Sequence, residues 1–202
     1  MHVDVERVVA MAPDLVVAEW LTPPDLVRRL RALGLRVLQV DSSTIDGYLE
    51  TLGRLGERTG HPAEAARLSA RLTSKVGALR RRLAEVPMQR RPRVFIEIWG
   101  RPLQTAACQT FIDEMIRLAG GVNVFGELEQ YPRISPEALL SRDPDVVLLT
   151  SSSVEAFAAE PGLGSLRAVR NRRVWAVDPD TLVRPGPRLT QALDGLTRML
   201  TQ

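Results

Sequence analysis

Two glutamates sit in matching contexts far apart in the chain. Glu6 lies in "DVERVVAMAPDLVVAEW" (residues 4–20) and Glu137 in "ISPEALLSRDPDVVLLTSSS" (residues 134–153). Each is followed seven residues later by Pro-Asp, Pro13-Asp14 or Pro144-Asp145, and then by an apolar run. Both fall at the second helical position after a capping residue, Asp4 or Ser135. An acid there favours the positive end of a helix by about 0.3–1 kcal/mol. Pro136 in the first turn fits the same reading. Capping explains why an acid is tolerated at each place, but not why both halves carry one.

Other chemistry-bearing residues are sparse. His2 and His61 are the two histidines and neither sits in an HExxH setting, so a zinc site or a Ser-His triad is poorly supported. Cys108 is the single cysteine; it forms no disulfide and reads as a small buried residue rather than a nucleophile. Neither GxGxxG nor GxxxxGK[ST] occurs. "GGVNVFG" follows a helix, which is the place of a C-cap rather than a phosphate cradle. With no catalytic set and no metal-ligand set, the chain reads as a non-enzyme.

Composition narrows the class further. The 202 residues, 45% hydrophobic, are enough to bury a real core. Net charge is only +3, and Lys75 is the only lysine, so the high isoelectric point reflects arginine use. Arginines are spread along the chain, with runs such as "RRRL" (80–83) and "RRPR" (90–93), and aromatic residues make up 4% of the chain. That is not the basic, aromatic-interleaved face of a nucleic-acid binder. "MHVDVERVV" lacks the features of a signal peptide, and no apolar run approaches the roughly 20 residues of a membrane span.

These residues need elements to position them, and the coarse reading alternates helix and strand. "DVERVVAMA" predicts a short helix, "DLVVAEW" a strand, "PPDLVRRLRALG" a helix and "LRVLQV" a strand. "DSSTIDGYLETLGRLGERTG" predicts a helix ending at Gly60. In the next segment Leu68, Leu72, Val76, Leu79 and Leu83 form an amphipathic stripe on one helix of about 25 residues. Then follow the strand "RVFIEIW" (93–99), the loop "GRPLQTAACQ" and the helix "TFIDEMIRLAGG". The loop "VNVFGELEQYPRI" leads to the helix "SPEALLSRD" and the strand "DVVLLTSSS". A helical "GLGSLRAVRNR", the strand and turn "RVWAVDPDT" and a closing helix "PRLTQALDGLTRMLTQ" complete the chain.

"LRALGLRVLQVDSST" (30–44) also echoes "LRAVRNRRVWAVDPDT" (166–181) with one inserted residue. Both halves thus run helix, Pro-Asp, strand, helix, strand, acidic turn. The predicted fold is α/β: two lobes with parallel central sheets bridged by one long helix. The expected units are 1–60 as the N-terminal lobe, 61–87 as the interlobe helix and 88–202 as the C-terminal lobe. Ligands of such repeats sit beyond the C-terminal ends of the strands. That places "AEWLTPP", "VDSST", "IWGRPLQ", "LTSSS" and "VDPDTLVRP" around an expected shared cleft.

Taken together, "VDVERVVAMAPDLVVA", "LRALGLRVLQVD", the long helix, "RVFIEI", "GGVNVF", "YPRISPEALLSRDPDVVLL" and "RPGPRL" resemble the periplasmic, long-helix substrate-binding proteins of ABC importers for vitamin B12 and ferric siderophores. The pattern is most similar to the cobalamin-binding branch and covers essentially the whole chain. The resemblance implies a receptor outside the cytoplasm that captures cobalamin, a cobalt corrinoid, between its lobes. It has no prosthetic group, and it delivers its ligand to the membrane-spanning dimer of an importer. It implies that Glu6 and Glu137 are the two carboxylates that dock into arginine pockets of that dimer. It assigns ligand contacts to Tyr131, to Asp180 and Arg184, and to the loop Trp99–Gln104, where the aromatic of the relatives falls near Leu103 or Gln104; Arg101 and Arg184 are the arginines that an anionic siderophore would call for. Trp20, at a strand end of lobe one, supplies a further aromatic wall.

The chain departs from the family pattern at its start. Family members begin with a signal peptide and then a strand and helix of lobe one. Their absence here predicts an incomplete first lobe with an unpaired strand edge. Two alternatives stand beside the cobalamin reading. One is a receptor of the same family for a ferric siderophore or haem, which calls for more arginines facing the cleft. The other is a cytosolic α/β protein that lost the transport role.

Overall fold

The computed structural model describes residues 3–182 and 185–201. Helix α1 (Val5–Ala10) starts where the Asp4 carboxylate accepts the Arg7 N–H at 3.0 Å. Strand β1 (Val16–Glu19) follows, then α2 (Pro24–Ala32), which ends ahead of Gly34 at φ 83°. A left-handed residue there closes the last turn, and glycine takes that conformation without strain. Strand β2 (Val37–Val40) pairs in parallel with β1, Val16 opposite Val37 and Glu19 opposite Val40. Among the described residues β1 pairs with β2 alone, and Met11, Val17 and Leu21 around it are exposed.

Helix α3 (Ile45–Thr59) is capped by Thr44, whose hydroxyl accepts the Gly47 N–H at 3.0 Å, and stops at Gly60 with φ 78°. Helix α4 (Pro62–Ala84) is 23 residues long, about 35 Å at 1.5 Å per residue. Most of its predicted stripe is buried: Leu72, Val76 and Leu79 lie in the core and Leu68 packs against it, while Leu83 near the helix end is half-buried outside that cluster. One carboxylate ties this region to the rest. Glu114 accepts the Ile45 N–H at 2.7 Å and an Arg80 N–H at 3.2 Å, joining α3 and α4 to the helix that carries it.

The remainder builds a five-stranded sheet. In chain order it adds β3 (Arg93–Trp99), β4 (Gln104–Thr105), α5 (Phe111–Leu118), β5 (Val122–Asn123), α6 (Pro136–Arg142) and β6 (Val146–Leu149). Then come α7 (Val154–Ala159), α8 (Arg167–Arg170), β7 (Val174–Ala176), α9 (Pro179–Leu182) and α10 (Leu189–Thr201). The strand order is β4-β3-β6-β7, with β5 also pairing with β3. β5, β6 and β7 join in parallel.

Both faces of this sheet are covered, so its strands read as continuous apolar runs rather than alternating ones. Val94, Ile96, Val146 and Leu148 face a core shared with α3, α4, α5 and α10. Phe95, Val147 and Leu149 face the other side, against Phe125, Leu139 and Phe157. The Phe95 ring meets Phe125 edge-on at 6.0 Å and stacks with Phe157 at 6.3 Å.

Three local expectations need correction. The sheet is not wholly parallel: β4 runs antiparallel to β3, because the short Gly100–Leu103 loop can reverse the chain but cannot cross it over. The segment after β6 is not all strand and loop. Ser153 accepts the Ala156 N–H at 3.1 Å and starts α7. The expected single helix over "GLGSLRAVRNR" is a 3₁₀ turn (Leu163–Ser165) followed by the four-residue α8.

Candidate functional site

At the C-terminal ends of β3 and β6 lies a cleft of about 730 Å³. Trp99, Arg101 and Leu103 line it from the loop after β3, Ser151 and Ser152 from the turn after β6, and Glu137 from the start of α6. The Trp99 ring is 56% exposed, and its Nε1–H donates to the Arg101 carbonyl at 2.8 Å, which fixes the plane of the indole. Arg101 forms an ion pair with Glu160 at the end of α7. The Leu103 carbonyl accepts the Ile134 N–H at 3.0 Å, so this wall is stitched to the segment leading into α6.

The floor of the cleft holds a residue that sequence reasoning passed over. Glu97, on β3, is 1% exposed, yet it lines the cleft. Its Oε1 accepts the Ser151 hydroxyl and the Ser152 backbone N–H, each at 2.9 Å. Gly100 makes this approach possible: a Cβ there would stand 2.6 Å from Ser152 Oγ and 3.4 Å from Glu97 Oε2. The available signal was a single acid inside a strand that is otherwise apolar on both faces. Such a group is almost never buried without a partner.

The remaining ligand candidates lie elsewhere. Gln104 and Tyr131 are held to each other, the Gln104 amide donating to the Tyr131 carbonyl at 2.8 Å. Tyr131 is half-buried against the core that α3, α4, α5 and α10 share with the sheet, and burial raises the pKa of its phenol. It does not line the cleft. Trp20 follows β1, its N–H donating to Glu19 at 3.3 Å, next to a separate cavity of about 760 Å³ bounded by Glu19, Leu21, Pro23 and Arg29. Asp180 lies in the first turn of α9, with its N–H on the Asp178 carboxylate at 3.0 Å. Arg184 is outside the described residues. Among the described residues Trp99, Arg101, Leu103 and Glu137 line this cleft, and Trp20, Gln104, Tyr131 and Asp180 are not in its lining.

The two glutamates occupy the predicted helix positions, second in α1 and second in α6, but their electrostatics differ. Glu6 accepts a 2.8 Å hydrogen bond from Arg29 of α2, both side chains being largely exposed. Glu137 is exposed and has no ion pair among the described residues. Its own backbone N–H, and after it the Ser135 hydroxyl, hold its carboxyl below the ordinary value of 4.5. Among the described residues no cluster of His, Cys, Asp or Glu is placed to hold a metal ion. No helix there is long and apolar enough to cross a membrane.

Comparison with known proteins fits this architecture. Residues 1–181 match the family described as "Periplasmic binding protein". The chain is 28% identical over 207 residues to an uncharacterised ABC transporter substrate-binding lipoprotein, YvrC, of Bacillus subtilis, covering 99% of this chain and 66% of that protein. It is 32% identical over 201 residues to a cobalamin-binding protein of Halobacterium salinarum, covering 94% of this chain and 54% of that one. Among solved structures, the periplasmic heme-binding protein RhuT from Roseiflexus sp. RS-1 in apo form aligns with a TM-score of 0.86 at 26% identity, over 98% of this chain and 80% of that one. The chain thus spans between about half and two thirds of these two curated relatives. The relatives are substrate-binding proteins rather than enzymes. On the match over residues 1–181 and the shared fold, the chain belongs to the periplasmic binding protein family.

Proposed function

We propose that this chain is part of a solute receptor acting outside the cytoplasm, one that captures cobalamin or a related corrinoid and delivers it to an ABC importer. The observation that carries the ligand choice is the charge of the cleft. Among the described residues it is lined by three carboxylates, Glu97, Glu137 and Glu160, against one arginine, Arg101, which is already paired with Glu160. An anionic siderophore or the ionised propionates of haem would meet like charge there, at a cost in affinity. Corrin is a broad, mostly apolar plate fringed with neutral amides. Trp99, Leu103 and Pro136 offer it apolar contact.

In this reading residues 1–60, 61–87 and 88–202 are the first lobe, the connecting helix and the second lobe. Glu6 and Glu137 are the two carboxylates that meet arginines of the importer. A charge-assisted contact at two points sets the orientation of the receptor and steers its approach. The likeness to a haem-binding protein supports haem as the second ligand reading.

Titration of the chain with cyanocobalamin, haemin and a ferric hydroxamate, followed by calorimetry and by tryptophan fluorescence, separates these readings. Saturable binding of cyanocobalamin with weak response to the other two is expected. Saturation by haemin or the siderophore with none by the corrinoid would overturn the cobalamin assignment.

A further inference from the structure

We infer that Glu97 recognises the ligand directly, and that its open oxygen selects a neutral N–H donor, a primary amide, over a carboxylate at the same place on the ligand's periphery. The inference rests on the corrinoid reading above and adds the residue that enforces it. Both hydrogen bonds to Glu97 end on Oε1, from Ser151 and Ser152. Oε2 takes none from the described residues, and it is not among the enclosed polar atoms that lack a partner. Glu97 and Gly100 both line the cleft, and Gly100, with no side chain, lies against Oε2, although Glu97 as a whole is only 1% exposed.

The covering is built, not accidental. Gly100 has no side chain where a Cβ would stand 3.4 Å from Oε2, so the path from the cleft to that oxygen stays open. The two donors on Oε1 fix the carboxylate plane and leave Oε2 as an acceptor with nothing to accept. A buried carboxylate oxygen in that state is stabilised by an incoming donor, because desolvating it without one is costly. It equally repels an incoming carboxylate, and among the described lining residues no cation is unengaged to offset that repulsion. A primary amide satisfies the first condition and avoids the second. The site therefore distinguishes two ligands of the same size and shape by one functional group.

The experiment compares cyanocobalamin with its separated monocarboxylic acids, in which one peripheral amide is hydrolysed. Three proteins are titrated: the unaltered chain, Glu97→Gln and Gly100→Ala. The unaltered chain is expected to bind cyanocobalamin at least about tenfold more tightly than one of the acids, since a site that hydrogen-bonds a ligand group discriminates strongly against its replacement. Glu97→Gln, which can donate as well as accept, is expected to bring that ratio to within about threefold. Gly100→Ala places a methyl group 3.4 Å from that oxygen and 2.6 Å from Ser152 Oγ, which must turn away, and is expected to weaken cyanocobalamin binding about tenfold or more.

Equal binding of cyanocobalamin and all of its acids by the unaltered chain overturns the inference, whether or not Glu97→Gln folds. An unchanged ratio in folded Glu97→Gln, or unchanged affinity in Gly100→Ala, overturns it as well. Failure of the unaltered chain to bind cyanocobalamin at all overturns instead the corrinoid reading on which it rests.

Discussion

Arg29 of α2 donates a 2.8 Å hydrogen bond to Glu6 of α1, and so gives a partner to one member of a pair that the sequence presents as equivalent. Glu137, the other member, carries its charge without an ion pair among the described residues and beside an open cleft. If both are docking carboxylates, they do not contribute equally. Glu6 must exchange one arginine for another, whereas Glu137 gains a partner it lacks.

The first prediction follows from that exchange. Glu137→Ala should weaken association with the cognate importer by about 30-fold or more, the range for removing one partner of a buried, hydrogen-bonded charge pair. Glu6→Ala should weaken it less, and Arg29→Ala should strengthen it by freeing Glu6. Because Arg29 and Glu6 are 60% and 78% exposed, Arg29→Ala should change folding stability by less than about 1 kcal/mol. Surface plasmon resonance against the importer in lipid nanodiscs reads all three. Equal losses from the two glutamate variants would show that the Arg29 contact is irrelevant to docking.

The second prediction concerns pH. The folded-state pKa of Glu137 lies below its ordinary value of 4.5, chiefly through its own backbone N–H and then through the Ser135 hydroxyl. A depressed carboxylate contributes stability that is fully present above the unfolded-state value and is lost as pH falls through the folded-state value. The charge of Glu137 should therefore survive mild acid and be lost only below pH 4.5. Ser135→Ala should move the midpoint upward toward 4.5 without reaching it, since the backbone N–H remains. A carbon-detected NMR titration of the Glu137 side chain measures this. An unchanged midpoint in Ser135→Ala would remove the hydroxyl from the explanation.

Much of the scaffold was legible because it rests on local rules. β3 spans Arg93–Trp99 as its β-branched and aromatic run predicted, and α4 follows its leucine stripe from Pro62 to Ala84. The site was less legible because it depends on which strand ends meet. Trp99 and Glu137, 38 residues apart in sequence, line one cleft because the β3 loop and the start of α6 are stitched by the Leu103–Ile134 hydrogen bond. Tyr131, six residues before Glu137, packs instead against the larger core cluster. Glu97 was missed because period and propensity identify the strand and say nothing about one acid within it. α7 was missed because the serine run before it was read as the end of β6, when Ser153 is a cap.

A third prediction tests the long helix as part of the core. Leu72 is fully buried where α4 crosses the cluster shared with α3, α5 and α10. Leu72→Ala should cost about 2–5 kcal/mol, the sum of lost transfer energy and an unfilled cavity. Leu68, one turn earlier and only partly buried, should cost less when replaced by alanine. Denaturant unfolding gives both values, and a loss under about 1 kcal/mol for Leu72→Ala would mean that α4 is not anchored there.

The last prediction sets two glycines of α3 against each other. An ideal Cβ on Gly53 meets nothing within 4 Å, whereas one on Gly56 would stand 2.4 Å from the Ala65 Cβ and 3.0 Å from the His61 carbonyl oxygen. Intrinsic propensity favours alanine over glycine inside a helix by about 1 kcal/mol, so Gly53→Ala should stabilise the chain by up to that amount. At Gly56 the same gain opposes a clash with a methyl carbon that has no rotamer to yield and with a backbone oxygen. Overpacking of that kind costs about 1–3 kcal/mol, so the net should be a destabilisation, reached by pushing α4 away from α3. Paired denaturation curves decide the matter. If Gly56→Ala is as stabilising as Gly53→Ala, the close α3–α4 crossing is not what holds α4 against the first unit.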